Sequence, residues 1–274
     1  MQQMDTGNVK KMLDEARPGE LDVLDVRQEW EYEEFHLPGA ILVPLPELPD
    51  KMAGLHRERR ILVYCRSGNR SMAAASLLES HGFRDVVNMD GGMSAWQGAT
   101  AVEGVLSGME FFPKIMETAD VYRFGYGMER VLEAFYRRMA EIAPTRESAD
   151  LFQTLAGFEE AHMRSLYIRY GRTSESPLPR EEFEKQALAE TGEGGRDPEA
   201  YFADSLTSLV DLRGIVETSM MIEAQALDYY QRCARQPEHA DSAEVLLVLA
   251  REEQGHLRML GNYLKKSAES SNFL

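Results

Sequence analysis

Residues 63–71 read Val63-Tyr64-Cys65-Arg66-Ser67-Gly68-Asn69-Arg70-Ser71, and this stretch decides the fold of the first half of the chain. The apolar run that ends at Tyr64 predicts a buried β-strand, and the alanine-rich run after Ser71 predicts a helix. Cys65 therefore lies where a strand passes into a helix through a glycine-containing turn. The positive end of that helix favours the thiolate form of the cysteine, which is the nucleophilic form.

Two interpretations of Cys65 remain open at this point. A cysteine at the end of a strand is often an inert core residue. The glycine in the turn and the two nearby arginines favour instead a reactive thiolate beside a small bound anion. On this second interpretation Cys65 is the nucleophile, Arg66 and Arg70 hold the anion, and the loop contacts to substrate come from Ser67, Gly68, Asn69 and Ser71.

The motifs on either side of this loop form a familiar series. Leu24-Asp25-Val26-Arg27 follows a predicted strand, the motif at 36–40 (HLPGA) follows an acidic helix, and the motif at 91–96 (GGMSAW) closes the segment. Together with Cys65-x-x-Gly68-x-Arg70, over residues 5–98, they resemble the single-domain rhodanese family of sulfurtransferases. Phe35 is a departure, because the family usually has Gly before the histidine, and we expect it to alter a turn rather than the chemistry.

The resemblance implies a reaction and roles for further residues. Cys65 would take sulfur from a sulfane donor such as thiosulfate and carry it as a persulfide. A thiol or another thiophilic acceptor would then remove the outer sulfur. Asp25 and Arg27 would support the loop rather than react.

Length and composition limit the other possibilities. A chain of 274 residues with 43% hydrophobic residues is long enough for two domains with cores of their own. Two cysteines and no basic-then-apolar leader predict a reducing, cytoplasmic location, and no apolar run is long enough for a membrane span. A net charge of −16 makes nucleic acid and anionic membranes poor partners.

The first domain is predicted to span residues 1–104 and to be α/β. Strands are predicted at 21–26, 40–43, 61–64 and 86–88, and helices at 8–15, 29–35 and 71–80, with Thr6 as a candidate cap of the first helix. Strands that alternate with helices indicate a mostly parallel sheet, and ligands bind beyond the carboxyl ends of its strands. Small residues near 98–108 predict the linker.

Residues 105–274 are predicted to be all α-helical. Long helical patterns run over 111–142, 145–170, 198–235 and 239–266, with a possible short helix at 180–190. Short links within each pair of long helices and one long crossover between the pairs are typical of a four-helix bundle.

An internal repeat runs through this half. Glu129 is followed after 7, 30 and 33 residues by Tyr136, Glu159 and His162, and a second set with equal offsets begins 94 residues later. Seven residues are about two helical turns, so Glu129 and Tyr136 share a face of one helix, and Glu159 and His162, at i and i+3, share a face of the next. The second set consists of Glu223, Tyr230, Glu253 and His256.

The repeat predicts a dimetal site. A Glu from each of two helices and Glu-x-x-His from each of the other two is the ligand pattern of di-iron and di-manganese carboxylate bundles. A single Glu-x-x-His is usually a solvated helix face, but two copies at equal offsets are hard to obtain by chance. Apolar neighbours of the first Glu in each set also favour metal, since an unpaired buried carboxylate is costly. The six predicted ligands are Glu129, Glu159, His162, Glu223, Glu253 and His256.

Residues 109–266 resemble the ferritin-like superfamily, most closely the rubrerythrin-type diiron domains. That resemblance implies two iron ions, with manganese or a mixed pair as alternatives, and chemistry with oxygen or peroxide. The chain has no Cys-x-x-Cys pair, so an external electron donor would replace the rubredoxin-like module of full rubrerythrins. Bundles of this type commonly pair, so we expect a homodimer. Tyr136 and Tyr230 are predicted hydrogen-bond partners of the ligand carboxylates, with core packing as an almost equal alternative.

A hypothesis of another class remains. The whole protein could be a non-catalytic sensor or iron-handling factor, in which Cys65 reads persulfide or oxidant and the bundle stores or senses metal. Turnover with thiosulfate and cyanide separates an enzyme from such a sensor. Cys233 is expected to be inert packing, and His36 is expected to be solvated.

Overall fold

The structure is a computed structural model that describes residues 1–104, 117–187, 212–236, 240 and 242–271, with side chains of the last helix described as far as 264. The chain divides into two compact units, Met1–Ser107 and Gly108–Leu274. Each unit has hydrophobic clusters of its own, so each is described by itself.

The first unit is built on a parallel β-sheet, as the alternating pattern predicts. The sheet has the order β1-β5-β4-β2-β3, and every neighbouring pair is parallel. Because β4 lies at its centre and is buried along its whole length, the residue that follows it stands at the middle of the sheet's carboxyl edge. The strands are β1 (Gln2–Met4), β2 (Asp22–Asp25), β3 (Ala40–Leu42), β4 (Ile61–Tyr64) and β5 (Val86–Met89).

Helices cover the sheet. Two apolar clusters lie against it, one around Leu24, Val63 and Leu78 and the other around Tyr32, Leu62 and Val87. The helices are α1 (Thr6–Glu15), α2 (Glu29–Glu34), α3 (Leu48–Lys51), α4 (Asn69–Ser80) and α5 (Gly92–Ala95), with single 3₁₀ turns at Leu45–Glu47 and Met52–Gly54.

Three details of this unit differ from the sequence predictions. The short edge strand β1 was not predicted. Asp5, rather than Thr6, caps α1, because its carboxylate accepts the backbone N–H of Asn8 at 2.9 Å. His36 is fully buried rather than solvated: its ring stacks on Tyr32 at 3.6 Å, and its backbone forms an antiparallel bridge with Ala101.

The second unit is helical, and four long helices pack together in its described part. Thr145 caps the second of them by accepting the backbone N–H of Ser148 at 3.1 Å. No helix in the described ranges is both long and apolar enough to cross a membrane. The helices are α6 (Thr118–Ile142), α7 (Arg146–Thr173), α8 (Arg180–Gln186), α9 (Leu212–Ala234) and α10 (Ala243–Ser271).

Several predicted helical residues fall outside the described ranges, namely those at 111–116, 188–190, 198–211, 239 and 241. Within the described ranges, α7 and α10 continue past their predicted ends. The prediction for α10 began at His239, whereas the helix begins at Ala243.

Two apolar clusters fill the space between the four long helices. Cluster A includes Met128, Leu166, Tyr230 and Leu249, and cluster B includes Leu132, Leu155, Ile222 and Leu260. Along each long helix the chain passes from one cluster to the other, and a predicted metal ligand stands at the crossing. The six predicted ligands therefore form a polar layer between two apolar ones.

Candidate functional site

The sulfur of Cys65 lies in a cradle of hydrogen-bond donors at the end of β4. The Gly68 N–H points at Sγ from 3.2 Å, and the Ser71 hydroxyl lies 3.5 Å from it. Gly68 has a φ of +96°, which glycine adopts without strain, and this conformation turns the chain from the strand into α4. Cys65 itself is only 1% exposed.

These donors set the ionisation of the thiol. Burial on its own would raise the pKa of Cys65. The Ser71 hydroxyl and the backbone N–H groups of Ser71, Ser67 and Gly68 outweigh burial, so the pKa of Cys65 lies below its ordinary value. The arrangement therefore favours a thiolate, which is the form that attacks sulfur.

The closing motif at 91–96 packs directly against the Cys65 loop. A Cβ on Gly92 would stand 2.3 Å from the Cys65 carbonyl oxygen, which is closer than any side chain can come. The absent side chain lets the Met93 N–H donate to that oxygen at 2.9 Å and the Ser94 N–H donate to the Arg66 carbonyl at 2.8 Å. The two motifs thus form one unit around the cysteine.

The two predicted anion-holding arginines occupy different settings. Arg70 directs both terminal nitrogens to the Glu31 carboxylate, at 2.7 Å each. This pairing, led by the hydrogen bonds from Arg70, holds the pKa of Glu31 below its ordinary value. Arg66 is exposed at the loop, as are Ser67 and Asn69, so these side chains are open to a ligand in solution.

The predicted supporting pair is a buried ion pair beside the loop. Arg27 bonds to Asp25 at 2.7 Å, and both side chains are at most 2% exposed. Arg27 also donates to the Phe35 carbonyl at 2.7 Å, and its guanidinium lies over the rings of Phe35 and Tyr64. Phe35 has a φ of −171°, an extended conformation that any residue adopts, so this position does not require glycine here.

In the helical unit, the structure brings all six predicted metal ligands together. They form three overlapping groups in which potential ligand atoms lie within 4.8 Å of one another. The four carboxylates are at most 1% exposed, while His162 and His256 reach the edge of the layer. The groups are Glu159 with His162 and His256, Glu129 with His162 and Glu253, and Glu223 with Glu253 and His256.

The two repeats make equivalent contacts. His162 Nδ1 lies 3.1 Å from Glu129 Oε1, and His256 Nδ1 lies 3.1 Å from Glu223 Oε2. The two imidazole rings stack at 4.0 Å with an angle of 20° between their planes. Each helix pair thus supplies one histidine and its carboxylate partner.

The charge state of this layer without metal follows from these contacts. Burial would lower the pKa of His162, but the charge of Glu129 and the hydrogen bond to it outweigh burial and raise that pKa to about 9. Burial also raises the pKa of Glu129, and the charge of His162 reverses this, so the net shift is downward. The contact with Glu129 therefore favours the protonated form of His162, and a metal ion at this position would compete with that proton.

The donor set suits two hard divalent cations. Oε2 of Glu129 is buried and has no hydrogen-bond donor among the described residues, a costly state that a cation would relieve. Four carboxylates and two imidazoles match iron or manganese, and none of the six is a thiolate. The negative charge of four carboxylates would balance the positive charge of two divalent ions.

The two tyrosines of the repeat lie in the apolar clusters that flank this layer. Tyr136 is buried against the ring of Phe152 in cluster B. Tyr230 is buried in cluster A, where its hydroxyl lies 3.9 Å from Met128 Sδ. These contacts are those of core residues, and the predicted bonds to ligand carboxylates stay predictions.

Comparison with known proteins concerns the first unit. The family model for the Rhodanese-like domain matches residues 5–99. The putative sulfurtransferase YtwF of Bacillus subtilis is 40% identical over 81 residues, which are 30% of this chain and 78% of that protein. The chain belongs to the rhodanese-like family.

One further relative and one solved structure match the same part of the chain. The putative sulfur carrier protein YrkF of B. subtilis is 40% identical over 80 residues, and the match spans 29% of this chain but only 43% of that protein. A crystal structure of a rhodanese-like domain protein from Staphylococcus aureus is 30% identical and covers 38% of this chain and 100% of its own, with a TM-score of 0.35.

Sequence reasoning missed one residue of the rhodanese-like site, Glu31. It lies on α2, 39 residues before its partner Arg70, and only the packing of α2 beside the loop brings them together. Its position as the third residue after Gln28, in a capping box, gave a local signal for a helix start and none for a contact with Arg70.

Proposed function

We propose that the rhodanese-like domain is a sulfurtransferase that moves sulfane sulfur through a persulfide on Cys65. The observation that carries this proposal is the cradle of N–H and O–H donors around a sulfur whose pKa is lowered. The names of the relatives support it, since YtwF is called a putative sulfurtransferase and an Allochromatium vinosum protein 34% identical over 74 residues is called a sulfurtransferase.

The reaction proceeds in two displacements. The Cys65 thiolate attacks the outer sulfur of thiosulfate, so that a new S–S bond forms while the old one breaks and sulfite leaves with its electron pair. A thiolate or cyanide acceptor then attacks the outer sulfur of the persulfide and releases the Cys65 thiolate. The donors that stabilise the resting thiolate also stabilise it as the leaving group of the second step.

The test uses the full chain with thiosulfate and cyanide. Cys65→Ser should abolish thiocyanate formation and leave the metal content unchanged. Cys233→Ser is the matched control, because burial raises the pKa of Cys233 to about 12 and keeps its thiol protonated. Turnover retained by Cys65→Ser would move the nucleophile elsewhere, and no turnover in the wild type would favour a sensor.

We also propose that the helical domain is a ferritin-like dimetal centre, with Glu129, Glu159, His162, Glu223, Glu253 and His256 as its ligands. The carrying observation is the convergence of these six side chains in one buried layer. Two bound iron ions would supply electrons for the reduction of peroxide or oxygen, and an external donor would restore them. The protein's own part is to exclude water with clusters A and B and to give up the proton of His162 when metal binds.

Metal analysis of protein purified without added metal tests this second proposal. We expect two ions per chain, iron or manganese. Glu129→Ala and Glu253→Ala should lower that number, whereas Glu160→Gln should not, because Glu160 pairs with Arg137 on the outside of the helices. A stoichiometry of one ion or none in the wild type would overturn the dimetal proposal.

A further inference from the structure

The repeat is symmetric in its ligands but not in the residues beside them. Applying the same offset of 94 to the neighbours of the ligands pairs Phe158 with Glu252, Ser165 with Met259, and Arg169 with Tyr263. The polar members of these pairs come from both repeats, and they meet across the helices: Glu252 of the second repeat contacts Ser165 and Arg169 of the first. The surroundings of the two histidines therefore differ.

Beside His162 the neighbours form a polar cluster. Glu252 of α10 reaches α7, where its Oε1 accepts from the Ser165 hydroxyl at 3.2 Å and lies 3.3 Å from Arg169 Nη2. Ser165 is three residues after His162, so it lies on the same face of α7. The other oxygen of Glu252, Oε2, is buried and has no donor among the described residues.

Beside His256 the equivalent positions are apolar. The ring of Phe158 lies 6.2 Å from the His256 ring, centre to centre. Phe158, Met259 and Tyr263 line a mainly apolar cavity of about 560 Å³ between α7 and α10. No carboxylate among the residues that line this cavity corresponds to Glu252.

We propose that the two metal positions of the helical domain are inequivalent, and that Glu252 makes the position nearest His162 the tighter one. This inference rests on the proposed dimetal centre. Glu252 is 15% exposed, so its charge is only partly screened by solvent, and its cationic partner among the described residues, Arg169, is 44% exposed and therefore offsets it weakly. Glu252 acts as a positioning residue: it adds negative charge beside one ion without belonging to the six ligands.

The inference predicts ordered filling of the site. The first ion should occupy the position nearest His162 and the second the position nearest His256. Outer residues that support metal ligands commonly change affinity by about 10- to 100-fold, so we expect the two binding constants to differ by about tenfold.

The experiment is a titration of the metal-free full chain with Mn²⁺, followed by electron paramagnetic resonance and by calorimetry. With one equivalent, the spectrum of isolated Mn²⁺ should predominate in the wild type, and the spectrum of a coupled pair should predominate only as the second equivalent is added. In Glu252→Gln the first ion should bind about tenfold more weakly, and at one equivalent a larger share of the Mn²⁺ should be in coupled pairs than in the wild type. Glu160→Gln is the control for loss of a carboxylate elsewhere.

A reciprocal variant protects the test against a simple loss of folding. Phe158→Glu restores the symmetry of the repeat, so the second ion should bind more tightly. The coupled spectrum should then appear earlier in the titration than in the wild type. Two indistinguishable binding steps in the wild type, or unchanged steps in Glu252→Gln, would overturn the inference while leaving the dimetal centre standing. No Mn²⁺ binding by the wild type would overturn the dimetal centre itself and this inference with it.

Discussion

The two halves of this chain build their candidate sites from different kinds of structure. In the rhodanese-like domain the site is a loop, in which backbone N–H groups help to stabilise the thiolate of one side chain, Cys65. In the helical domain the site is a layer of six side chains on four helices, and the backbone is occupied with its own helical hydrogen bonds. A loop site depends on backbone conformation and close approach, whereas a helical site depends on spacing along the sequence.

The largest effect should come from breaking the buried ion pair that supports the loop site. Arg27→Ala leaves the Asp25 carboxylate buried without its partner, so we expect the rhodanese-like domain to lose about 3–5 kcal/mol of its free energy of unfolding. Both tryptophans, Trp30 and Trp96, lie in this domain, so tryptophan fluorescence in a denaturant titration follows it alone.

The control for this prediction is an exposed ion pair in the same domain. Lys51→Ala removes the Lys51–Glu47 contact of 2.7 Å and should change the free energy of unfolding by at most about 0.5 kcal/mol. An equally small effect of Arg27→Ala would show that the buried pair does not hold the loop.

Metal removal should lower the stability of the helical domain and leave that of the rhodanese-like domain unchanged. Ions at about one hundred times their dissociation constant should stabilise the helical domain by about 2.7 kcal/mol, and a chelator should remove that gain. Far-ultraviolet circular dichroism should show the change, and tryptophan fluorescence should not. Glu129→Gln should abolish the metal-dependent shift and Glu160→Gln should keep it; a shift in both signals would contradict independent halves.

A smaller effect is expected from a substitution where Gly92 contacts the Cys65 loop. Gly92→Ala adds a Cβ that would collide with the Cys65 carbonyl oxygen, so the domain should lose about 1–3 kcal/mol and sulfur transfer should fall. Gly54→Ala is the control, because a Cβ there meets open space. Both are measured by thiocyanate formation and fluorescence-detected unfolding. Full activity in Gly92→Ala would mean that the Cys65 loop tolerates displacement.

The smallest effect concerns one hydrogen bond to the sulfur. The Ser71 hydroxyl lowers the pKa of Cys65, so Ser71→Ala should raise that pKa and move the pH profile of iodoacetamide alkylation to higher pH. At neutral pH the rate should fall by about three- to tenfold, the equivalent of one hydrogen bond, and well above both pKa values the rates should converge.

Ser76→Ala is the matched control, since the Ser76 hydroxyl bonds to the Met72 carbonyl on the exposed face of the same helix. It should leave the alkylation profile in place. An unchanged profile in Ser71→Ala would assign the lowered pKa to the backbone donors alone.

The contrast between the halves also explains what the sequence could predict. Strand β4 and the turn after it are local features, so Ile61–Tyr64 was predicted with its observed bounds. The six proposed ligand positions follow from periodicity and an equal offset, and their side chains lie close together in the structure. The contact of Glu31 with Arg70 depends on how α2 and α4, which are far apart in the sequence, pack together. The burial of His36 depends likewise on a bridge to Ala101, 65 residues away, and no short pattern carries such information.

The equal offset of 94 residues has a consequence for how such a centre can arise. Each helix pair carries half of the proposed ligands: one Glu on its first helix, and one Glu and one His on its second. A gene segment that encodes one such pair therefore needs only to be duplicated in tandem to supply all six proposed ligands in one chain. Divergence at a position such as 158 or 252 can then proceed in one copy while the other keeps the inherited residue.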